Sequence, residues 1–337
     1  MIRYINYAET VVLVTGGTGF LGTILIQQLI GAGFQVRATK RATSSVPREL
    51  EGASAVEWVL ADINDFFALA DAFEGVTQVY HCAGLISYYP RDRKRMQVVN
   101  VEGTANVVAL AAEHGARLVH VSSIAAIGQP KNGGDIVEED LWEYDRDQSG
   151  YAVAKYESEM EVWRGIAEGL DAVIVNPALI IGASATPTGV GSSGTIFAQL
   201  RDGLSFYTAG SVGLIDVEDV AKAMVLLMEN KAICGERFVL SNENMTYEEL
   251  LVRCSKYLGR PAPKFKATGL MLGLGWRAAE LLSLFSGKPP LLTRETAHAA
   301  NQQMRFANTK IKKATGMTFK PIDDTLREIC SRLLTTS

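Results

Sequence analysis

Short, wholly apolar runs alternate with longer amphipathic stretches through the first two-thirds of the chain, the pattern of strands buried on both faces beneath covering helices. The runs predict strands near Val11–Thr15, Gln35–Thr39, Val56–Leu60, Val79–His81, Arg117–Ser122, Asp171–Asn176 and Arg237–Leu240. Helical periodicity between them predicts helices at about Phe20–Ala32, Phe66–Phe73, Arg93–His114, Tyr151–Gly169 and Val217–Glu229. Strand and helix in alternation need crossover connections, so the expected fold is α/β, a doubly wound parallel sheet.

The remainder differs in character. The stretch 182–194 is rich in Gly, Ser, Thr and Pro and reads as a long loop, and 241–337 returns to helical patterning. Thr246 followed three residues later by Glu249 predicts a capping box at a helix start. The expected division is 1–176 and 215–240 for the sheet domain, with 177–214 and 241–333 forming a smaller, mostly helical substrate domain. No apolar run reaches the roughly 20 residues of a membrane span. The nearest, Ala267 to Leu284, is broken by Arg277 and Glu280. It reads as a helix lining a substrate pocket, with a membrane-touching surface as the alternative.

Composition narrows the classes. With 337 residues, 47% hydrophobic and 21% charged, the chain is long enough for more than one core. A net charge of -4 gives no electrostatic reason for nucleic acid as a partner. Cys82, Cys234, Cys254 and Cys330 lack CxxC spacing, and His81, His114, His120 and His298 lack ligand spacing, so neither disulfides nor a metal is expected. A reducing cytoplasm is the expected compartment. The N-terminus, with Arg3 and Glu9, has no signal-peptide pattern.

Candidate chemistry sits in two places. Val11 to Thr15 runs into a turn with Gly16, Gly19 and Gly22, which opens a helix. Such a turn lets backbone approach phosphate, and the helix start offers N–H groups to a dinucleotide pyrophosphate. Thr18, Phe20 and Leu21 belong to the same loop. A carboxylate ending the second strand would favour NAD(H); here Val36 to Ser45 contains Arg37, Lys40 and Arg41, with no acid before Glu49. NADP(H) is therefore favoured, Arg41 being the first choice for the 2′-phosphate with Arg37 or Lys40 assisting. Further on, Tyr151 and Lys155 stand four apart, which places a phenol and an ammonium on one helix face. A phenol near a cation can exchange protons closer to neutrality.

In these motifs the chain resembles the extended short-chain dehydrogenase/reductases. The resemblance spans Thr15-Gly16-x-x-Gly19-x-x-Gly22, Ala61-Asp62-Ile63, His81-Cys82-Ala83-Gly84, Asn100-Val101-Glu102-Gly103-Thr104, Val121-Ser122-Ser123, Tyr151-x-x-x-Lys155, Asn176-Pro177 and Asp216 to Ala221. It implies a Rossmann-type sheet, with Asp62 bonded to adenine, Ile63 packed on the ring, Ala83 and Gly84 beneath the cofactor and Asn176-Pro177 beside the nicotinamide. Asn100 joins the cofactor-binding set. Tyr151 would be the proton donor, Lys155 its cation and ribose ligand, and Ser123 the catalytic hydroxyl, Ser122 being structural. A homodimer through the helices near 93–114 and 151–169 is also a family expectation.

The family divides between nucleotide-sugar epimerases or dehydratases and reductases of apolar carbonyl compounds. Val212 stands where the sugar-nucleotide branch often has an arginine, which counts against a diphosphate substrate. Val36-Arg37-Ala38-Thr39-x-Arg41 resembles the dihydroflavonol-reductase branch, and Leu85 to Tyr89, Phe197, Phe206, Tyr207 and Trp276 could supply apolar and aromatic surface. The reading is an NADPH-dependent aldehyde or ketone reductase. The alternatives are an NAD-dependent sugar epimerase or dehydratase and a non-catalytic dinucleotide sensor.

Overall fold

Seven parallel strands make the central sheet: β1 (Val11–Thr15), β2 (Val36–Lys40), β3 (Val56–Leu60), β4 (Val76–His81), β5 (Arg117–Val121), β6 (Ala172–Pro177) and β10 (Glu236–Leu240). This is a computed structural model describing residues 11–130, 133–145, 148–183, 192–286, 290 and 292–335. The strand order is β10-β6-β5-β4-β1-β2-β3. Val12 pairs with Val36 on one side of β1 and with Gln78 on the other. Every predicted strand is present, Val11–Thr15 and Val56–Leu60 with both ends as predicted and the others with ends shifted by at most three residues.

Order reverses between β1 and β4, since the chain first builds outward through β2 and β3 and then returns to the opposite side. In sheets of this kind the crevice at the carboxyl ends of the strands, at the reversal, is where ligands bind. Thr15, Lys40 and His81 end their strands at that edge. The sheet is covered on one face by α1 (Phe20–Gly31) and α7 (Val217–Glu229), and on the other by α2 (Phe66–Ala72), α4 (Gly103–Glu113) and α5 (Gly150–Ala167). Val12, Val14, Leu25, Ile26 and Leu227 are fully buried on the first side. Val107, Leu118, Val162 and Ile174 fill the second.

The helix predicted from Arg93 is continuous but irregular. α3 (Arg93–Met96) passes through a π-helical turn at Gln97–Glu102 before α4 begins. Such wide turns rotate the side chains that follow them and are frequent at functional sites.

The smaller part is mixed rather than only helical. β7 (Leu179–Ile181), β9 (Ser211–Asp216) and β11 (Glu243–Thr246) form a three-stranded sheet, and β8 (Phe206–Tyr207) pairs with β12 (Phe265–Lys266). β7, β8 and β12 are only two or three residues long, too short for periodicity to reveal. The helices there are α6 (Ser192–Arg201), α8 (Tyr247–Leu258), α9 (Gly269–Ser286), α10 (Arg294–Ala299), α11 (Thr309–Thr315) and α12 (Ile322–Thr335). The start of α8 carries the predicted capping box, Glu249 N–H donating to Thr246 Oγ1 at 3.1 Å and Thr246 N–H to Glu249 Oε2 at 2.8 Å. Most of the predicted loop at 182–194 lies outside the described residues. Phe197, which the sequence leaves open between pocket surface and core, is buried with Leu250, Leu251, Leu326 and Ile329 in the core of this part.

Asp216 fastens the two parts. Its carboxylate caps α7 by accepting from Glu218 N at 2.7 Å, accepts from Thr325 Oγ1 at 2.6 Å, and lies 3.4 Å from Lys320 Nζ.

Candidate active site

The glycine turn is shaped by what it excludes. Gly16 adopts φ +70°, and a Cβ there would lie 2.6 Å from the Ala83 nitrogen. A Cβ on Gly22 would collide with the Gly16 carbonyl. Bare backbone at both positions lets β1, α1 and the end of β4 meet. Gly19 precedes the helix with no capping side chain and no acidic residue follows in the first turn, so Phe20, Leu21 and Gly22 present their N–H groups at an uncompensated positive end. Thr18 flanks the turn, half-buried. This cradle fits a pyrophosphate.

Tyr151 and Lys155 occupy the first turns of α5, both buried. Ser149 caps the helix by accepting from Ala152 N at 3.0 Å. Lys155 Nζ donates to the Val121 carbonyl at 3.0 Å, at the very end of β5. A Cβ on Gly84 would sit 3.5 Å from that ammonium and 3.4 Å from Asn100 Oδ1, so the loop after β4 runs directly over both. The π-helical turn delivers Asn100 to this point. Its Oδ1 accepts from Leu85 N at 2.7 Å and its Nδ2 donates to Leu85 O at 2.9 Å, which pins the loop.

Burial governs the site's protonation. Desolvation raises the Tyr151 phenol above its usual range, opposed by a hydrogen bond from the Ser123 hydroxyl. Desolvation lowers Lys155 from its usual 10.5 to about 8, opposed by Cys82 and Glu159. The four-residue spacing predicts Lys155 pulling the phenol down; in the folded site burial raises it and Ser123, not Lys155, opposes the shift. Ser123 Oγ accepts from Ala125 N at 3.2 Å and so keeps its own proton to donate toward Tyr151. The Tyr151 ring packs with Met96, Ala154, Leu85 and Ala125, and Tyr88 lies 5.6 Å away, tilted.

Behind these groups stands a buried carboxylate that the sequence reading missed. Glu159, one turn beyond Lys155 and fully buried, accepts from Ser122 Oγ at 2.6 Å, Asn176 Nδ2 at 2.7 Å, Trp163 Nε1 at 3.1 Å and Arg237 Nη1 at 3.0 Å. Asn176 also donates to the Ser123 carbonyl at 3.0 Å. The serine pair is thus divided: Ser122 belongs to this network, and Ser123 faces Tyr151. Its signal in the sequence was the i+4 spacing from Lys155, which alone does not separate a buried acid from an exposed one.

A second buried string lies on the sheet. His81 bonds to Thr15 Oγ1 at 2.7 Å and Thr104 Oγ1 at 2.9 Å, and burial holds it neutral, its pKa lowered to about 3. Its neighbour His120, 5.1 Å away between ring centroids, is also pushed well below its usual range by burial.

The predicted adenosine end is only partly assembled. Arg37 is drawn away: its guanidinium donates to Glu57 Oε2 at 2.8 Å and to the carbonyls of Ala72 and Glu74 at 3.0 and 2.7 Å. It lies too early in β2 to reach the carboxyl edge. Lys40 donates to the Ser44 carbonyl at 3.4 Å, and Arg41 is exposed immediately after the strand. A cavity of about 300 Å³ joins Thr18, Gly19 and Phe20 to Ser45, Arg48 and Glu49. Arg48 was missed because it sits on a short turn well past the strand end, where no periodicity marks it. Asp62 is exposed and accepts from Asn64 N at 3.0 Å. Ile63 is buried, its side chain packed beside Gly103. Pro177 ends β6 opposite Leu240.

Glycine cradle, buried tyrosine–lysine pair and order reversal together define a dinucleotide-dependent enzyme class. The chain belongs to the NAD dependent epimerase/dehydratase family, whose model matches residues 12–241, within the extended short-chain dehydrogenase/reductases. An NAD(P) dinucleotide is the cofactor typical of that family. Among relatives, a putative dihydroflavonol 4-reductase of Synechocystis sp. is 32% identical over 94% of this chain and 92% of its own length. Sterol demethylase protein B of Methylococcus capsulatus is 35% identical over 75% and 76% respectively. The crystal structure of gox2253 superposes with a TM-score of 0.82 at 29% identity, covering 97% of this chain and 98% of that one.

Proposed function

We propose that the protein is an NADPH-dependent reductase of an aldehyde or ketone carried on an apolar small molecule. The observation that carries this is a buried phenol in contact with Ser123 and walled by Leu85, Tyr88 and Ala125. Few fixed charges and much aromatic surface suit an apolar ligand. Val212, where an arginine would serve a diphosphate, is buried in the smaller core. The two curated relatives named above bear names of reductase and sterol chemistry, in keeping with such a substrate.

The roles follow from position. The glycine turn and α1 would hold the pyrophosphate, Gly84 and Pro177 would face the nicotinamide end, and Arg41 with Arg48 would meet a 2′-phosphate. When bound, the dinucleotide supplies the hydride. As negative charge develops on the substrate oxygen, Ser123 donates a hydrogen bond to it and Tyr151 gives up its proton. Lys155, charged below about pH 8, stabilises the phenolate left behind. Arg41→Ala and Arg48→Ala should each raise the KM for NADPH about tenfold and leave that for NADH nearly unchanged, as loss of a charge-assisted bond predicts.

The test is oxidation of NADPH and NADH across apolar aldehydes, ketones and sugar nucleotides, with Tyr151→Phe as control. Turnover of an apolar carbonyl, lost by about 10² to 10⁴ in the variant, is expected. Consumption of neither cofactor, with sugar nucleotide converted, would overturn the reading in favour of an epimerase or dehydratase.

A further inference from the structure

α9 turns an apolar stripe to the outside. Leu270, Leu274, Leu281 and Leu282 each remain 60% to 76% exposed, as does Phe265 just before the helix. At about 100° per residue, Leu270, Leu274 and Leu281 fall within an arc of about 40°, and Met271, Ala278 and Leu282 widen it to about 120°. Ser283 is buried on the opposite side, and Gly275 faces Leu292. Large contiguous apolar surface of this kind marks an interaction site.

Charge identifies the partner. Between 259 and 294 the described residues include Arg260, Lys264, Lys266, Arg277 and Arg294 against Glu280 alone, in a chain whose net charge is -4. Lys264 and Lys266 flank the exposed Phe265, which packs on Phe206 at 5.7 Å. Arg277, at the edge of the stripe, lies 4.5 Å over Trp276 and bonds to the Gly273 carbonyl at 2.7 Å, so its charge is held along the helix surface rather than across the apolar face. A second copy of the chain would bring two basic rims together. An anionic lipid surface complements them, since each cation held near it strengthens the attraction.

We propose that α9 and Phe265 form a docking surface for an anionic bilayer, with the helix lying in the plane of the headgroups. Among the described residues no helix is long and apolar enough to cross a membrane, so the contact is peripheral. It does not depend on which compound the active site takes.

Co-sedimentation of the full chain with phosphatidylcholine vesicles, and with vesicles containing about one-third phosphatidylserine, tests this. Binding should be about tenfold or more stronger to the anionic vesicles, fall at about 0.5 M salt, and fall again by about tenfold in Leu274→Glu/Leu281→Glu. Both substituted positions are exposed, so the thermal unfolding midpoint should not move. Failure of the wild type to bind, or equal binding by the double variant, would overturn the proposal. So would sedimentation velocity showing a dimer that the double variant dissociates.

Discussion

Lys155 carries its charge where water is excluded, and two measurable consequences follow. Its pKa falls from 10.5 to about 8 on folding, so between those values the unfolded chain binds more protons and stability rises with pH. The desolvation cost is full below about pH 8 and is relieved above it. Lys155→Met should therefore stabilise the cofactor-free protein at pH 7 by up to about 3 kcal/mol, with the gain shrinking toward pH 10.5; a gain independent of pH in urea titrations would refute the assignment. In catalysis, kcat/KM for carbonyl reduction should decline above about pH 8 as Lys155 deprotonates, because the Tyr151 phenol is itself raised and does not titrate there. Glu159 makes the opposite kind of prediction. Glu159→Ala leaves the Arg237 guanidinium, Ser122, Asn176 and Trp163 without their shared acceptor, and should cost about 3–5 kcal/mol of stability, read from the denaturation midpoint. Neither residue's environment is written in its own neighbourhood of the chain. The spacing from Tyr151 to Lys155 was legible; the carboxylate that organises the serines became visible only when β5, β6, β10 and α5 were brought together.

At the scale of elements, the β1 to α1 turn and the π-helical turn before α4 do different work. The first is readable because its requirement is steric: only glycine fits where β1, α1 and the end of β4 touch. Gly16→Ala demands φ +70° with a side chain and a clash with Ala83, so dinucleotide affinity should fall by at least about tenfold in a fluorescence titration. An unchanged affinity would mean that the turn has another role. The second was read as ordinary helix, since apolar periodicity tolerates one extra residue per turn. Its effect is to turn Asn100 onto both backbone groups of Leu85. Asn100→Ala should loosen the loop carrying Gly84 and Tyr88 and raise KM for both cofactor and carbonyl, with hydrogen exchange at Leu85 accelerating as the corroborating readout.

The whole molecule adds a clasp over the catalytic helix. Glu295, on α10, accepts from Arg93 Nη2 at 2.7 Å and from Gly150 N at 3.2 Å, joining the C-terminal part to the residue preceding Tyr151. A carboxylate at that helix N-terminus is favoured by the backbone dipoles as well as by the cation. Glu295→Ala should leave the sheet's stability within about 1 kcal/mol, yet raise hydrogen exchange along α9 and α10 and weaken carbonyl binding; unaltered exchange there would show that the clasp does not hold the two parts together.

The sequence by itself determined the parallel sheet, the glycine turn and the tyrosine–lysine helix face. Each of these rests on local constraints: buried β-branched runs, sterics that only glycine satisfies, and the repeat of an α-helix. Tertiary structure alone decided which cation remains at the second strand's end, since Arg37 is captured by Glu57 and two carbonyls from other elements. It also decided the short strands of the smaller part, the burial that raises the phenol's pKa, and the exposure of α9. Burial and partner choice depend on residues far apart in the chain, and no local pattern encodes them.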